Sequence, residues 1–134
     1  MSADHAATLV ENFRRLWSEK DPEIVREIVA DDAVAHWSGI PTFRGTDYPT
    51  QMRRTMTETF PDIDLVVTAH AHEGDYVFIS WHARATVSGV RVEWDGIDRF
   101  RLRGGALADE VYAIYDTGPM REAARQARRA TAAG

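Results

Sequence analysis

A chain of 134 residues, 44 % of them hydrophobic, has material for one domain with a buried core and no room for a second. Its net charge of −5 offers no positive field to nucleic acid or an anionic membrane, and the absence of cysteine excludes disulfides, thiolate metal ligands and cysteine nucleophiles. The opening MSADHAATLVENF has no cationic start leading into an apolar run, and no apolar stretch is long enough to span a bilayer, so a cytoplasmic protein without membrane or nucleic-acid partners is expected.

In chain order, apolar residues Leu9, Phe13, Leu16 and Trp17 recur at helical spacing and predict a helix over 3–19. Asp21-Pro22 caps and opens a predicted second, short helix carrying Ile24, Val25, Ile28 and Val29 and ending at Asp31-Asp32. A first strand is predicted over 33–37. Loop chemistry follows at Gly39, Pro41 and Gly45, then a third helix over 48–59 that stops at Phe60-Pro61. Three long strands are predicted over 63–72, 76–88 and 90–103, broken at Glu73-Gly74-Asp75 and Ser88-Gly89. After a Gly104-Gly105 turn, a last strand is expected over 107–115. Residues 119–134, rich in Ala and Arg, form a terminal helical tail to a main domain over 1–118. Helices first and antiparallel strands afterwards is an α+β pattern, a curved sheet wrapped around the long first helix into an open cone.

The strand over 90–103 has marked sidedness, since side chains alternate between faces. Glu93, Asp95, Arg99, Arg101 and Arg103 share one face with Ile97, whereas Trp94, Gly96, Phe100 and Leu102 share the other with Asp98. Asp98 is thus the single ionisable group on an apolar face, where an unpartnered carboxylate costs several kcal/mol, on the order of the usual buried-charge penalty. With Trp81 and Trp94 as flat walls, that face predicts a small-molecule pocket. Tyr112 is a candidate hydrogen-bond donor to a substrate oxygen. His36 is a candidate proton carrier; its neighbour Trp37 points the opposite way, so one of the two lines the pocket. His70 and His72 share a strand face without a nearby third ligand, and no metal site is expected. Neither a phosphate-binding loop nor a nucleophile elbow is present, leaving cofactor-free acid/base chemistry.

The order of elements, the segment ADDAVAHW, the FPD after the third helix and above all GIDRFRLRGGALADEVYAIYD resemble the SnoaL-like polyketide cyclases and their relatives in the nuclear transport factor 2-like superfamily, over nearly the whole chain up to Asp116. The resemblance implies the cone fold. It leaves the reaction open among cyclases, ketosteroid isomerases, dehydratases, epoxide hydrolases and non-catalytic binding modules. It puts Asp98 where ketosteroid isomerases keep a protonated carboxylic acid that helps hold the substrate's oxyanion. The isomerase base position falls on Trp37, its oxyanion-binding tyrosine on Phe13, and the cyclase acid/base position on Tyr112. The expected function is a cofactor-independent cyclase, isomerase or related lyase acting on a hydrophobic ring-containing or polyketide-like carbonyl compound. In it Asp98, Tyr112 and His36 are catalytic, and Trp37, Trp81, Trp94, Phe100 and Phe13 bind substrate. The alternatives are a binding module of the same fold or an epoxide hydrolase, whose Asp-Arg-Asp relay Arg99 faces the wrong way to complete. A homodimer is expected through the face bearing Tyr76, Phe78, His82 and Arg84, as superfamily members commonly associate.

Overall fold

The computed structural model describes residues 3–133. Helix α1 (Ala3–Glu19) buries Ala6, Leu9, Val10, Phe13 and Leu16 along one stripe, the apolar spacing of its sequence. It stops at Lys20, which takes a left-handed φ of 52°. Asp21 then caps a 3-10 turn (Pro22–Glu27) by accepting from the Glu23 amide at 3.0 Å. This turn replaces the longer second helix expected to reach Asp32. The Ile28 carbonyl accepts from the Ala108 amide at 2.8 Å, a sheet partner in place of a helical one. Strand β1 (Val29–Trp37) therefore begins four residues early, with its pairing irregular between Val29 and Val34. Asp32, in that irregular stretch, accepts from both terminal guanidinium nitrogens of Arg103 at 2.8 and 2.9 Å.

A short strand β2 (Phe43–Arg44), not foreseen, pairs with β1. Gly45 follows because a Cβ there would lie 1.9 Å from the Ala30 carbonyl oxygen. Helix α2 (Tyr48–Arg54) runs on into a π-helical turn (Thr55–Thr59), closed by the Phe60 amide donating to the Thr55 carbonyl at 2.9 Å. Four long strands complete the sheet: β3 (Asp64–Glu73), β4 (Tyr76–Val87), β5 (Val90–Leu102) and β6 (Ala108–Tyr115). The β4–β5 hairpin turns on Ser88 and Gly89, whose φ values of 52° and 80° are the pair that a two-residue type I′ connection requires.

The six strands form one curved sheet in the order β2-β1-β6-β5-β4-β3, antiparallel throughout except for the parallel β1–β6 pair. Helices lie against one face, giving the α+β architecture. That inner face carries Val77, Ile79, Trp81, Ala83 and Ala85 from β4 and Val92, Trp94 and Phe100 from β5, all buried in one core with the α1 stripe. The outer face carries the charged alternates. The last helix, α3 (Gly118–Ala133), packs on β5 and β4, with Ala123 2 % exposed in the same core.

Candidate functional site

A cavity of about 140 Å³ lies between the inner sheet face, the end of α1 and the π-helical turn. Its lining is assembled from distant parts of the chain: Phe13 and Trp17 of α1, Trp37 of β1, Thr55, Thr59 and Phe60 at the π-helical turn, Trp81 of β4, Trp94 and Asp98 of β5, and Tyr115 of β6. A second chamber of about 20 Å³ shares Phe13, Trp17, Trp37 and Asp98 with it and is bounded further by Tyr48 and Phe100.

Asp98 is 6 % exposed, opposite Ile79 on β4 and Ala113 on β6. Its Oδ1 accepts from the Trp81 indole N–H at 2.9 Å, and Oδ2 has no protein partner among the described residues. Burial pushes the carboxyl up to about 7, against a smaller opposing pull from the Trp81 hydrogen bond. Near neutral pH the acid therefore populates both protonation states. Trp81 reaches it because Gly96 lies opposite, where a Cβ would stand 2.2 Å from the indole ring. The glycine is the floor on which the ring rests.

Two tyrosines surround this acid. Tyr48, buried, accepts from the Trp37 indole N–H at 3.0 Å, which leaves its own hydrogen to donate. Burial and then the Asp98 charge raise its pKa, so the hydroxyl stays protonated. The same two causes push Tyr115 up to about 12. The Trp17 Nε1 is buried and has no partner among the described residues.

Phe13, Trp37, Trp81 and Trp94 thus line the cavity as the sequence suggests, while Phe100 lies deeper, against Phe13 and the small chamber. His36 and Tyr112 do not line it. Cross-strand partners share a face: Asp98 is opposite Ala113, whereas Tyr112 is opposite Arg99 and beside His36. On the outer face Tyr112 stacks on His36 with centroids 4.4 Å apart, and the Arg99 guanidinium sits between the Tyr112 and Tyr76 rings at 4.7 and 4.9 Å. His36 also contacts the Thr42 hydroxyl at 3.1 Å. The inward tyrosine of β6 is Tyr115. Alternation of Val111, Ala113 and Tyr115 carried that signal; counting from Gly105 missed it because the β5–β6 register shifts between Arg101 and Leu102. Trp17 and Tyr48, also overlooked, carry only the ordinary marks of helix residues in sequence. Among the described residues no group of three or more His, Cys, Asp or Glu is placed to hold a metal ion, and no helix is long and apolar enough to cross a membrane.

The family model of the SnoaL-like domain matches residues 10–110. The chain belongs to the SnoaL-like family. No curated protein is significantly similar to it in sequence. Among solved structures, this SnoaL-like chain is similar to an NTF2-like protein from Burkholderia thailandensis E264, at 16 % identity over 89 % of this chain and 96 % of that one with a TM-score of 0.79. An NTF2-like protein of unknown function from Burkholderia pseudomallei K96243 gives 18 % identity, coverage of 91 % and 97 %, and a TM-score of 0.78. IdmH, a candidate polyketide cyclase from Streptomyces antibioticus, gives 23 % identity, coverage of 89 % and 97 %, and a TM-score of 0.73. Such identities carry the fold: the SnoaL-like cone, with its cavity on the concave side of the sheet.

Proposed function

We propose that the protein is a cofactor-independent acid/base enzyme acting on a hydrophobic carbonyl compound, with Asp98 as its proton-transfer group. The observation that carries this is a lone carboxyl in an apolar cavity, held at 2.9 Å by Trp81 and poised between its two charge states at neutral pH. As carboxylate, Asp98 takes a proton from the carbon beside a bound carbonyl and becomes the neutral acid. The electron pair moves onto the carbonyl oxygen, giving an enolate. Returning the proton to a different atom isomerises the compound, whereas attack by the enolate carbon on a second carbonyl breaks that carbonyl's π bond and closes a ring, the alkoxide so formed taking the proton back from Asp98. The Tyr115 hydroxyl, which stays protonated, is a donor on the cavity wall. The similarity to IdmH supports a cyclase within this class.

The test is exchange of the α-protons of a small cyclic ketone in D2O, followed by NMR. The wild-type protein should accelerate exchange, and Asp98→Asn should abolish most of that acceleration. A second reading, a binding module, draws on Asp98 being the one carboxylate in the cavity lining, with no Lys, Arg or His beside it; saturable ketone binding without exchange would establish it.

We propose that the protein is a cytoplasmic homodimer, and exposed apolar side chains on the outer face, which continue the face of Tyr76, Phe78, His82 and Arg84, support the dimer. Val66, Phe78, Ile97 and Ile114 are exposed large apolar side chains, Ile114 at 61 %. Light scattering should give twice the chain mass, and Ile114→Glu should return the monomer.

A further inference from the structure

We infer that the cavity is a site for a hydrophobic organic ammonium ion, a protonated amine that pairs an N–H with the free oxygen of Asp98. This rests on the cavity being the ligand site proposed above, and not on proton transfer by Asp98.

The first support is an acid without a counter-charge. At the surface Asp32, Asp62 and Asp64 each pair with an arginine, at 2.8, 3.0 and 2.6 Å. Asp98 has the Trp81 indole on Oδ1, and no Lys, Arg or His joins it in the lining of either chamber. Its Oδ2 has no protein partner among the described residues, and it is not sealed from solvent as the Trp17 Nε1 is. Because Asp98 lines the cavity, that oxygen opens into it. A charged N–H donor completes it.

The second support is the wall. All four tryptophans, with Phe60 and Tyr115, line the cavity, and aromatic faces attract a cation and repel an anion, tryptophan most strongly. The third is the opening. Of the lining residues Thr59 is exposed and Ile40 and Gln51 are half-buried, so the cavity meets solvent on their side. An ammonium there keeps part of its hydration, while Asp98 has already lost its own on folding. A carboxylate or phosphate enters the same space with no positive partner and with Asp98 beside it.

The pairing sets the pH dependence. Burial keeps Asp98 protonated to about 7, so below that an entering ammonium must displace a proton. The other titratable groups facing Asp98 are Tyr115 from β6 and Tyr48 from α2, both pushed up and neutral throughout. The linings drawn from α1, β1, β4 and the π-helical turn add no Asp, Glu, His, Lys or Arg. Affinity for an ammonium therefore rises as pH rises through 7.

The experiment is calorimetry of the full chain with benzylamine, benzyl alcohol and benzoate. At pH 8 benzylamine should bind about tenfold to a hundredfold more tightly than benzyl alcohol, the range of a hydrogen bond to a charged group, and benzoate should not bind measurably. The ammonium is the more strongly hydrated of the first two, so apolar walls alone favour the alcohol and the order is diagnostic. In Asp98→Asn the order should reverse. In wild type the benzylamine affinity should fall about tenfold from pH 8 to 6, and buffers of different ionisation enthalpy should count close to one proton released per amine bound at pH 6. The proton count uses the wild-type protein and stands whatever the variant does. Equal or tighter binding of benzyl alcohol or benzoate overturns the inference. So does an amine preference that survives in Asp98→Asn, the absence of proton release at pH 6, or no measurable binding of benzylamine. Deuterium exchange of a ketone, measured without amine, reports separately on the proton step: amine binding can stand where exchange fails, and exchange can stand where amine binding fails.

Discussion

Asp95 and Asp98 stand three residues apart on β5, and the pleat sends them to different solvents. Asp95, with its side chain 84 % exposed, contacts His82 Nδ1 at 2.8 Å, while Glu93 meets the other ring nitrogen at 2.7 Å. Asp98 has one indole N–H and a cavity. On the outer face each charge meets an opposite charge and water, so the carboxylates raise the His82 pKa. On the inner face burial outweighs the single hydrogen bond, and the acid holds its proton to about pH 7. The residue type is the same. Its protonation follows from which side of the sheet it occupies.

The largest effect expected from breaking this contrast is on proton transfer. Asp98→Asn should lower the α-proton exchange rate by about 10²- to 10⁴-fold, the usual range for general acid/base catalysis, and Asp95→Asn should leave it unchanged. Equal losses in both variants would erase the distinction between the faces.

Stability against pH comes next. In the unfolded chain Asp98 titrates near its ordinary 3.8, and in the folded protein near 7, so between those values the folded state binds the extra proton. Folding stability must therefore fall as pH rises through that window. At about 1.4 kcal/mol per pH unit the loss is on the order of 4 kcal/mol. Urea titrations from pH 4 to 7.5 should show the decline in wild type and its absence in Asp98→Asn, which should be the more stable of the two at pH 7.5.

Gly96→Ala drives a methyl group into the Trp81 ring, and overpacking of this kind costs about 1–3 kcal/mol. Trp81→Phe sharpens the same point without the clash. Loss of the indole donor should move the Asp98 pKa further above 7, measurable from its carboxyl carbon resonance. The smallest effect belongs to the outer face. His82→Ala should reduce stability slightly below pH 6.5, where the wild-type imidazolium is paired, and the difference should vanish as pH rises through the raised folded pKa of His82.

Alternation made much of this visible in the sequence. The apolar face of β5 singled out Asp98, and the Ser88-Gly89 hairpin and the Phe60-Pro61 stop carry their own local chemistry. What alternation does not contain is the relation between strands. That β1 runs parallel to β6, with His36 paired to Tyr112 and Trp37 to Ala113, is a property of pairings across about 75 residues of chain, and that the β5–β6 register shifts near Leu102 is a property of how two neighbouring strands meet. A register shift of one residue sends a side chain to the other face, so Tyr112 and Tyr115 exchange places in any count that overlooks it. The unpartnered Trp17 N–H is hidden for a related reason. Whether a donor is satisfied depends on everything packed around it.

The chain has four tryptophans, Trp17, Trp37, Trp81 and Trp94, and all four border the same cavity. The intrinsic emission of this protein is consequently an unlabelled optical readout of its interior. A guest that displaces solvent from the cavity alters the surroundings of every emitter at once, and ionisation of Asp98 places a negative charge 2.9 Å from one of their indole nitrogens. A fluorescence titration across neutral pH, with and without a candidate ligand, reads occupancy and protonation in the same cuvette.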